Sequence, residues 1–217
     1  MLNKNYLLLA CISEEDTLEP QKWLSKYANY DLIYLTYSRN IVFQKCLISL
    51  NIPVYQAFSG KWKNIKNFFE KYGIGKYEYF WFPDPDLEID VDSINRLFKI
   101  AEHHQLDLCQ PALTHDSFHS HDFLLQQRSG NLLRPVKIVE IMCPCFSRSA
   151  LEKLIWTFDL SFSGYGLDFL WAKYIQGYVI DDIIVKHPRP QNFHYRAQLA
   201  GFPNPDDELT IIKQKYL

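Results

Sequence analysis

Tyr77-Glu78-Tyr79-Phe80-Trp81-Phe82-Pro83-Asp84-Pro85-Asp86-Leu87 is a run of aromatic side chains that stops at two aspartates one residue apart. A run this apolar, closed by Pro and Asp, reads as a strand buried on both faces, and such strands lie in the middle of parallel sheets. The two acids then stand at its carboxyl end, where open α/β sheets bind their ligands. In extended geometry their Cα atoms would lie ~6.6 Å apart with both side chains on one face. Two carboxylates so placed can hold Mg2+ or Mn2+ against an anionic ligand. The same residues also spell a turn, because Asp before Pro is a common turn opening, and on these residues alone both readings stay open.

Upstream of this run the elements alternate. Tyr6 to Ile12 reads as a strand, Glu19 to Tyr27 as a short helix, Asp31 to Tyr37 as a strand, Ile41 to Leu50 as a helix and Pro53 to Ala57 as a short strand. Lys61 to Tyr72 sets Trp62, Ile65, Phe68 and Phe69 at helical spacing and ends at Gly73 and Gly75. Downstream, Asp92 caps a helix to about Glu102, and Leu106 to Cys109 is the next strand. This alternation predicts an α/β fold, a mainly parallel central sheet flanked by helices. Beyond it the pattern loosens. His115 to Pro135 is polar and irregular, Val136 to Phe146 reads as a strand and Ser149 to Trp156 as a helix. Leu167 to Ile175 follows as a second helix, Tyr178 to Lys186 as the last strand, and the polar tail carries a short closing helix at Asp207 to Tyr216.

Composition narrows the class. A chain of 217 residues with 47% hydrophobic and 22% charged residues suits one globular domain burying about 70% of its unfolded surface. With 23 basic against 25 acidic residues there is no electrostatic footprint of a nucleic-acid binder. The first ten residues are too short an apolar stretch for a signal segment or a membrane span, and the reading is cytoplasmic. Five cysteines (Cys11, Cys46, Cys109, Cys143, Cys145) lack a framework spacing and read as reduced, apolar thiols; Cys143-Pro144-Cys145 has one residue too few between its thiols for the redox motif.

Several residues outside the aspartate pair can carry chemistry. His187 ends the last strand and can reach the same crevice as a nitrogen ligand, or be a loop residue before Pro188. His115, Asp116, His119, His121 and Asp122 are dense, yet neither strand nor helix spacing gathers their histidines, so they read as a substrate loop ahead of a metal site. Asp168 follows Gly164-Tyr165-Gly166 and opens a helix, where it is either a first-turn acid favoured by the helix dipole or a general base for a hydroxyl. Lys61, Lys63 and Lys66 either neutralise a diphosphate or form the solvated face of their helix.

Taken in order, these blocks resemble an uncharacterised family of plants and bacteria whose plant members carry the label lysine-ketoglutarate reductase trans-splicing related. The resemblance rests on Lys61-Trp62, Asp84-Pro85-Asp86-Leu87 and Gln110-Pro111-Ala112-Leu113. It continues through Val139-Glu140-Ile141-Met142 with Phe146-Ser147-Arg148, Gly164 to Phe169, and Ile180-Asp181 followed by His187. Pro85 stands where plant members tend to carry an acid, and Cys143 and Cys145 where small apolar residues are usual. That family is in turn similar to glycosyltransferases of the GT-A fold, whose Asp-x-Asp motif binds a nucleotide-sugar diphosphate through a divalent cation. The resemblance implies a single GT-A-like domain over 1–217, with a nucleotide-binding half (1–110), an acceptor-side half (111–190) and a tail (191–217). It implies Asp84, Asp86 and His187 as ligands of Mn2+ or Mg2+, and Asp168 as the acceptor-side base. Cys11, Ser13 and Tyr37 fall beside the nucleotide with Lys61, and Tyr165, Gly166 and Trp171 on the acceptor side. The expected activity is transfer of a sugar from a nucleotide-diphosphate sugar to an acceptor hydroxyl, a carbohydrate in the first instance. A non-catalytic nucleotide-sugar or carbohydrate binding module and a metal-dependent phosphoesterase or nucleotidyltransferase are the rival readings.

Overall fold

The computed structural model describes residues 4–14, 21–57, 59–127, 130–190 and 201–217. In chain order the first half holds β1 (Tyr6–Ile12), β2 (Tyr30–Thr36), α1 (Ile41–Ser49), β3 (Val54–Gln56), α2 (Lys61–Tyr72), β4 (Tyr79–Trp81), α3 (Val91–His103) and β5 (Leu108–Leu113). The second half holds β6 (Leu133–Val136), β7 (Cys145–Ser147), α4 (Arg148–Leu154), α5 (Leu167–Tyr174), β8 (Gly177–Val185) and α6 (Pro205–Tyr216). The strands form one eight-stranded sheet in the order β3-β2-β1-β4-β7-β5-β8-β6. Only β6 and β7 run against the rest. The fold is thus a mixed α/β domain with a mostly parallel central sheet, as the alternating pattern predicts.

The aromatic strand is central and buried, with Phe80, Trp81 and Phe82 fully enclosed. Its neighbour is parallel on one side (β1) and antiparallel on the other (β7). From β1 the chain steps outward to β2 and β3 on one side and returns to β4 on the other, so the gap between the carboxyl ends of β1 and β4 is a topological switch point.

Four expectations differ from the structure. Glu19 and Pro20 lie outside the described residues, and Gln21 to Tyr27 form turns rather than a helix, because Trp23 is buried in the core while Tyr30 Oη donates to its carbonyl at 2.7 Å. The helix expected to start at Asp92 is capped by Asp90, which accepts from Ser93 N at 2.7 Å. Val136 to Phe146 is not one strand. β6 ends at Val136, and the chain returns to the sheet only at Cys145, after Pro144, which has no N–H to give a ladder. Strand β5 runs past Cys109 to Leu113 through Pro111, which is tolerated because β7 pairs only with Leu108 and Cys109 and leaves that edge free of a ladder.

The core beneath the start of α5 is a ring cluster. Trp62 meets Phe158 and Trp171 at 4.8 Å each, edge-on, and Phe146 meets Trp171 at 5.1 Å. Two glycines let the loop of residues 161–166 lie on this cluster. A Cβ on Gly60 would sit 2.1 Å from the Phe162 carbonyl oxygen, and one on Gly164, whose φ is +91°, would sit 2.6 Å from Trp62 Nε1. Helix α6 straps the same loop from outside. Glu208 is buried and accepts from Phe162 N (2.5 Å), Ser163 N (3.0 Å), Ser163 Oγ (2.6 Å) and Ser161 Oγ (3.2 Å).

Gly164→Ala combines a left-handed backbone with a clash against an indole that cannot move, and is expected to cost roughly 2–4 kcal/mol in urea denaturation. Unchanged stability would show that the loop does not rest on Trp62. Glu208→Ala strands two backbone N–H groups at once and is expected to lower the melting temperature by about 5 °C or more. A drop within the range of ordinary surface substitutions would mean that α6 is not a strap.

Candidate functional site

Asp84 and Asp86 leave the carboxyl end of β4 as expected, but not in extended geometry. Asp84-Pro85-Asp86-Leu87 is a turn in which Leu87 N reaches the Asp84 carbonyl at 3.4 Å, with Pro85 at the position that favours its fixed φ. Lys22 pins the turn from below, its Nζ donating to the Pro85 (2.6 Å) and Leu87 (2.9 Å) carbonyls. The two carboxylates therefore face different partners.

Asp84 is held by Lys61, the first residue of α2, whose Nζ lies 2.7 Å from Oδ1 and also donates to the Ile141 carbonyl at 2.9 Å. Burial pushes the Asp84 carboxyl above the usual range, the Lys61 charge opposes it and the Asp86 charge adds to it. The side chain keeps 34% of its surface exposed, so water screens part of that push. Asp86 faces His187, with Oδ2 3.6 Å from Nε2. Burial pushes Asp86 up, but the neighbouring His187, helped by Arg189, outweighs it and holds the acid below its usual range. His187 is itself buried, which pulls its imidazole down; Asp86 and the Phe118 carbonyl, 2.9 Å from Nδ1, overcome this and raise it.

His187 reaches this place through a bulge in β8. The register against β5 jumps between Pro111 and Ala112, whose partners are Ile180 and Ile184. Asp181 sits in the bulge and takes a two-pronged contact from Arg134 (Nε to Oδ2 at 3.0 Å, Nη2 to Oδ1 at 3.1 Å). Arg134 also donates to the carbonyls of Phe123 and Leu125, which ties the histidine-rich segment to the sheet. That segment forms a roof. Ser117 Oγ accepts from His187 N at 3.1 Å and Phe118 N donates to the His187 carbonyl at 3.0 Å. The histidines within it do not converge: His119 pairs locally with Asp122 at 3.0 Å, and His121 stacks on Phe123.

Asp168 opens α5 and is buried; its Oδ1 accepts from Phe169 N at 2.9 Å. The acid satisfies the first turn, and burial raises its carboxyl to about 6. Glu140 was not singled out by the sequence as a site residue. It is 4% exposed, and burial raises its carboxyl to about 7, with the charges of Asp168 and Asp84 adding to the rise. The signal was a lone acid inside an apolar run, Val136 to Phe146, where burial of an unpaired carboxylate needs a reason.

The remaining candidates divide. Cys11 and Ser13 lie at the buried end of β1, beside Thr36 at the end of β2, and the Cys11 thiol donates to the Lys61 carbonyl at 3.7 Å. Tyr37 is 41% exposed just past β2. Tyr165 is half-buried, and its phenol is pushed up by burial and by the charges of Asp206, Glu140 and Asp168. Gly166 caps α5 beneath Ile212 of α6. Trp171, expected on the acceptor side, is instead fully buried: its Nε1 donates to Thr157 Oγ1 at 3.0 Å and its ring packs in the cluster, so no ligand can touch it.

In kind, the donor set fits a hard divalent cation. Asp84 and Asp86 offer oxygens, and the His187 Nδ1 contact to a carbonyl leaves Nε2 for coordination, the usual outer support of a metal-binding imidazole. Among the described residues, however, no three His, Cys, Asp or Glu side chains are gathered as a ready metal cluster. The Lys61 ammonium supplies the positive charge beside Asp84. Two surface cavities, of about 530 and 360 Å³, open at the amino ends of the strands, near Asp107 and Gln176 and near Lys4 and Tyr30, away from these acids. No described helix is long and apolar enough to cross a membrane.

A comparison with curated protein sequences returned no match. Among solved structures, the chain is similar to the crystal structure of GalNAc-T7 with UDP, GalNAc and Mn2+, with a TM-score of 0.65 at 10% sequence identity over 96% of this chain. It spans about half of that chain, 47% of which is covered. At this identity the likeness speaks for the fold alone, that of a GT-A glycosyltransferase. The profile of the family described as Protein of unknown function (DUF707) matches residues 28–188, which carry Asp84, Asp86, Glu140, Asp168 and His187, and the chain belongs to that family.

Proposed function

We propose that this protein is a metal-dependent glycosyltransferase that moves a sugar from a nucleotide-diphosphate sugar to an acceptor hydroxyl. The observation that carries the reading is the meeting of Asp86 and His187, 3.6 Å apart, with Asp84 two residues away at the switch point of a GT-A-like sheet. Asp84, Asp86 and His187 would hold Mn2+ or Mg2+, which offsets the charge that develops on a leaving diphosphate. Lys61 serves the same end from α2: once Asp84 is engaged elsewhere, its ammonium is free to face the diphosphate oxygens. The nucleotide lies against the ends of β1 and β2, by Ser13 and Tyr37.

Asp168 receives the acceptor proton in an inverting transfer. The acceptor oxygen bonds to the anomeric carbon, its proton passes to the Asp168 carboxylate, and the bond from that carbon to the diphosphate breaks with its electron pair leaving on the diphosphate. A carboxyl raised to about 6 suits this task, being ionised at neutral pH yet more basic than an exposed aspartate. Tyr165, beside it, forms the acceptor wall in place of Trp171.

A thermal-shift panel of UDP, GDP, CDP and their sugars with Mn2+, Mg2+ or EDTA tests the donor site. One nucleotide at a hundred times its Kd should stabilise the protein by about 2.7 kcal/mol, in the presence of metal only, and not in Asp84→Ala/Asp86→Ala. No shift with any nucleotide would sink the reading, and binding without turnover would favour a non-catalytic module.

Asp168→Asn should lower transfer by about 10²- to 10⁴-fold. Because the folded carboxyl titrates above an unfolded one, the fold favours its protonated form, and that contribution is lost as pH rises from about 4 through about 6. The neutral asparagine should therefore match the wild-type melting temperature at pH 4 and exceed it at pH 7.5. A variant less stable than wild type at both pH values would show that the buried charge is not a burden.

A further inference from the structure

Glu140 is the acid that the donor site leaves unused. Its backbone is fixed, since its N–H donates to Gln110 Oε1 at 2.7 Å and Gln110 is fully buried in β5. Its carboxyl is 4% exposed. Ser120, from the roof segment, hydrogen-bonds the carboxyl, yet among the described residues no group donates to Oε2. A buried carboxyl oxygen without a donor carries a full desolvation penalty, and an apolar or amide side chain of similar size would avoid it. Trp23 Nε1 and Asn29 Oδ1 are the other buried side-chain atoms without a partner among the described residues, and of the three only Glu140 Oε2 belongs to an acid beside the crevice, where it points to a partner that the chain does not supply.

The surroundings restrict that partner. The charges of Asp168 and Asp84 both act on Glu140, and together these acids repel an anionic group. The basic groups nearby are engaged with other acids: Lys61 is bonded to Asp84, and Lys213 acts on Asp168. Glu140, with burial holding its proton to about neutral pH, both donates and accepts, which is what a neutral hydroxyl needs from a site. Asp168 offers a second carboxyl from a different element, so together the two suit a ligand with neighbouring hydroxyls.

We infer that Glu140 is a ligand-binding acid of the crevice whose Oε2 takes a hydroxyl of a neutral sugar, next to the hydroxyl received by Asp168. The inference rests on the acceptor-side reading of Asp168 and deepens it by naming a second contact and a ligand class. Entry requires the roof at Ser117 to Ser120 to lift, since Oε2 is sealed in this conformation.

The test is carboxyl-carbon NMR at neutral pH on protein labelled at the glutamate side-chain carboxyls, with the Glu140 resonance assigned by its loss in Glu140→Gln and independently in Glu140→Asp. Methyl glycosides of glucose, galactose, mannose and N-acetylgalactosamine are titrated in. A saturable shift of the Glu140 resonance by at least one glycoside is expected, while Glu208, also buried but with both carboxyl oxygens hydrogen-bonded, stays still. Saturation transfer to that glycoside should weaken at least tenfold in Glu140→Gln. A Glu140 resonance that no glycoside moves, or undiminished binding in the variant, overturns the inference. The nucleotide panel separates the two failures. Metal-dependent nucleotide binding with a silent Glu140 removes this inference alone, whereas a responsive Glu140 without nucleotide binding removes the donor reading alone.

Discussion

The pairing of β4 with the antiparallel β7 is the constraint on which the rest of the crevice depends. Because β7 enters from the opposite direction, the residues before it run alongside the carboxyl end of β4 instead of turning away from it. The ladder Tyr79↔Ser147, Phe80↔Phe146, Trp81↔Cys145 is prolonged beyond both strands by Phe82 N to the Pro144 carbonyl (3.0 Å) and Asp84 N to the Met142 carbonyl (2.7 Å). Trp81 Nε1 adds a bond to the Cys143 carbonyl at 2.9 Å. A single segment, Glu140 to Pro144, thereby fixes the backbone of Asp84, receives the Lys61 ammonium on Ile141 and delivers Glu140. Backbone bonds of this kind are blind to side-chain identity, so the geometry of the acids does not depend on their charges.

The charges then sort into two groups. Asp84 stands against the opposite charge of Lys61, and Asp86 faces the His187 imidazole, whose influence outweighs burial there. Among the described residues no ion pair reaches Glu140 or Asp168, and both rise, chiefly through burial. That separation sets a carboxyl held low, Asp86, apart from carboxyls held high, Glu140 and Asp168. It comes from placement. The first group stands at strand ends beside a helix start and a bulge, and the second lies under a roof and a strapped loop.

How much of this the sequence revealed follows from how local each signal is. The aromatic run, the amphipathic period of Lys61 to Tyr72 and the Gly-Tyr-Gly approach to Leu167 are local, and the strand and helices stand where they predict. The Asp-Pro-Asp pair was legible as the carboxyl end of a strand but not as a shape, because Pro85 supports a turn and an extended chain equally, and Lys22, sixty-odd residues away, decides for the turn. Trp171 was misplaced because helical spacing gives a face but not what that face meets; here it meets Trp62, Phe146 and Phe158. The split of Val136 to Phe146 hid Glu140. An apolar run with one acid and one proline fits a continuous strand by period, whereas the structure needs the chain to leave the sheet so that β7 can enter in reverse.

The burial of Asp168 depends on chain outside the matched family region of residues 28–188. Helix α6 lies over the start of α5: Ile212 is fully buried against Gly166, and Lys213 stands 5.1 Å over the ring of Phe169, the residue after Asp168. Glu208 at the same time clamps residues 161–163, which lead into Gly164 and Tyr165. Without that cover, the loop would rest on Trp62 alone and the first turn of α5 would face water. Asp168 would then fall toward the ordinary carboxylate range, since burial is the main cause of its rise and the Lys213 charge only offsets part of it. The acid is supplied by one stretch of the chain and its basicity by another, so the strap sets the proton affinity of the crevice as much as the stability of the fold.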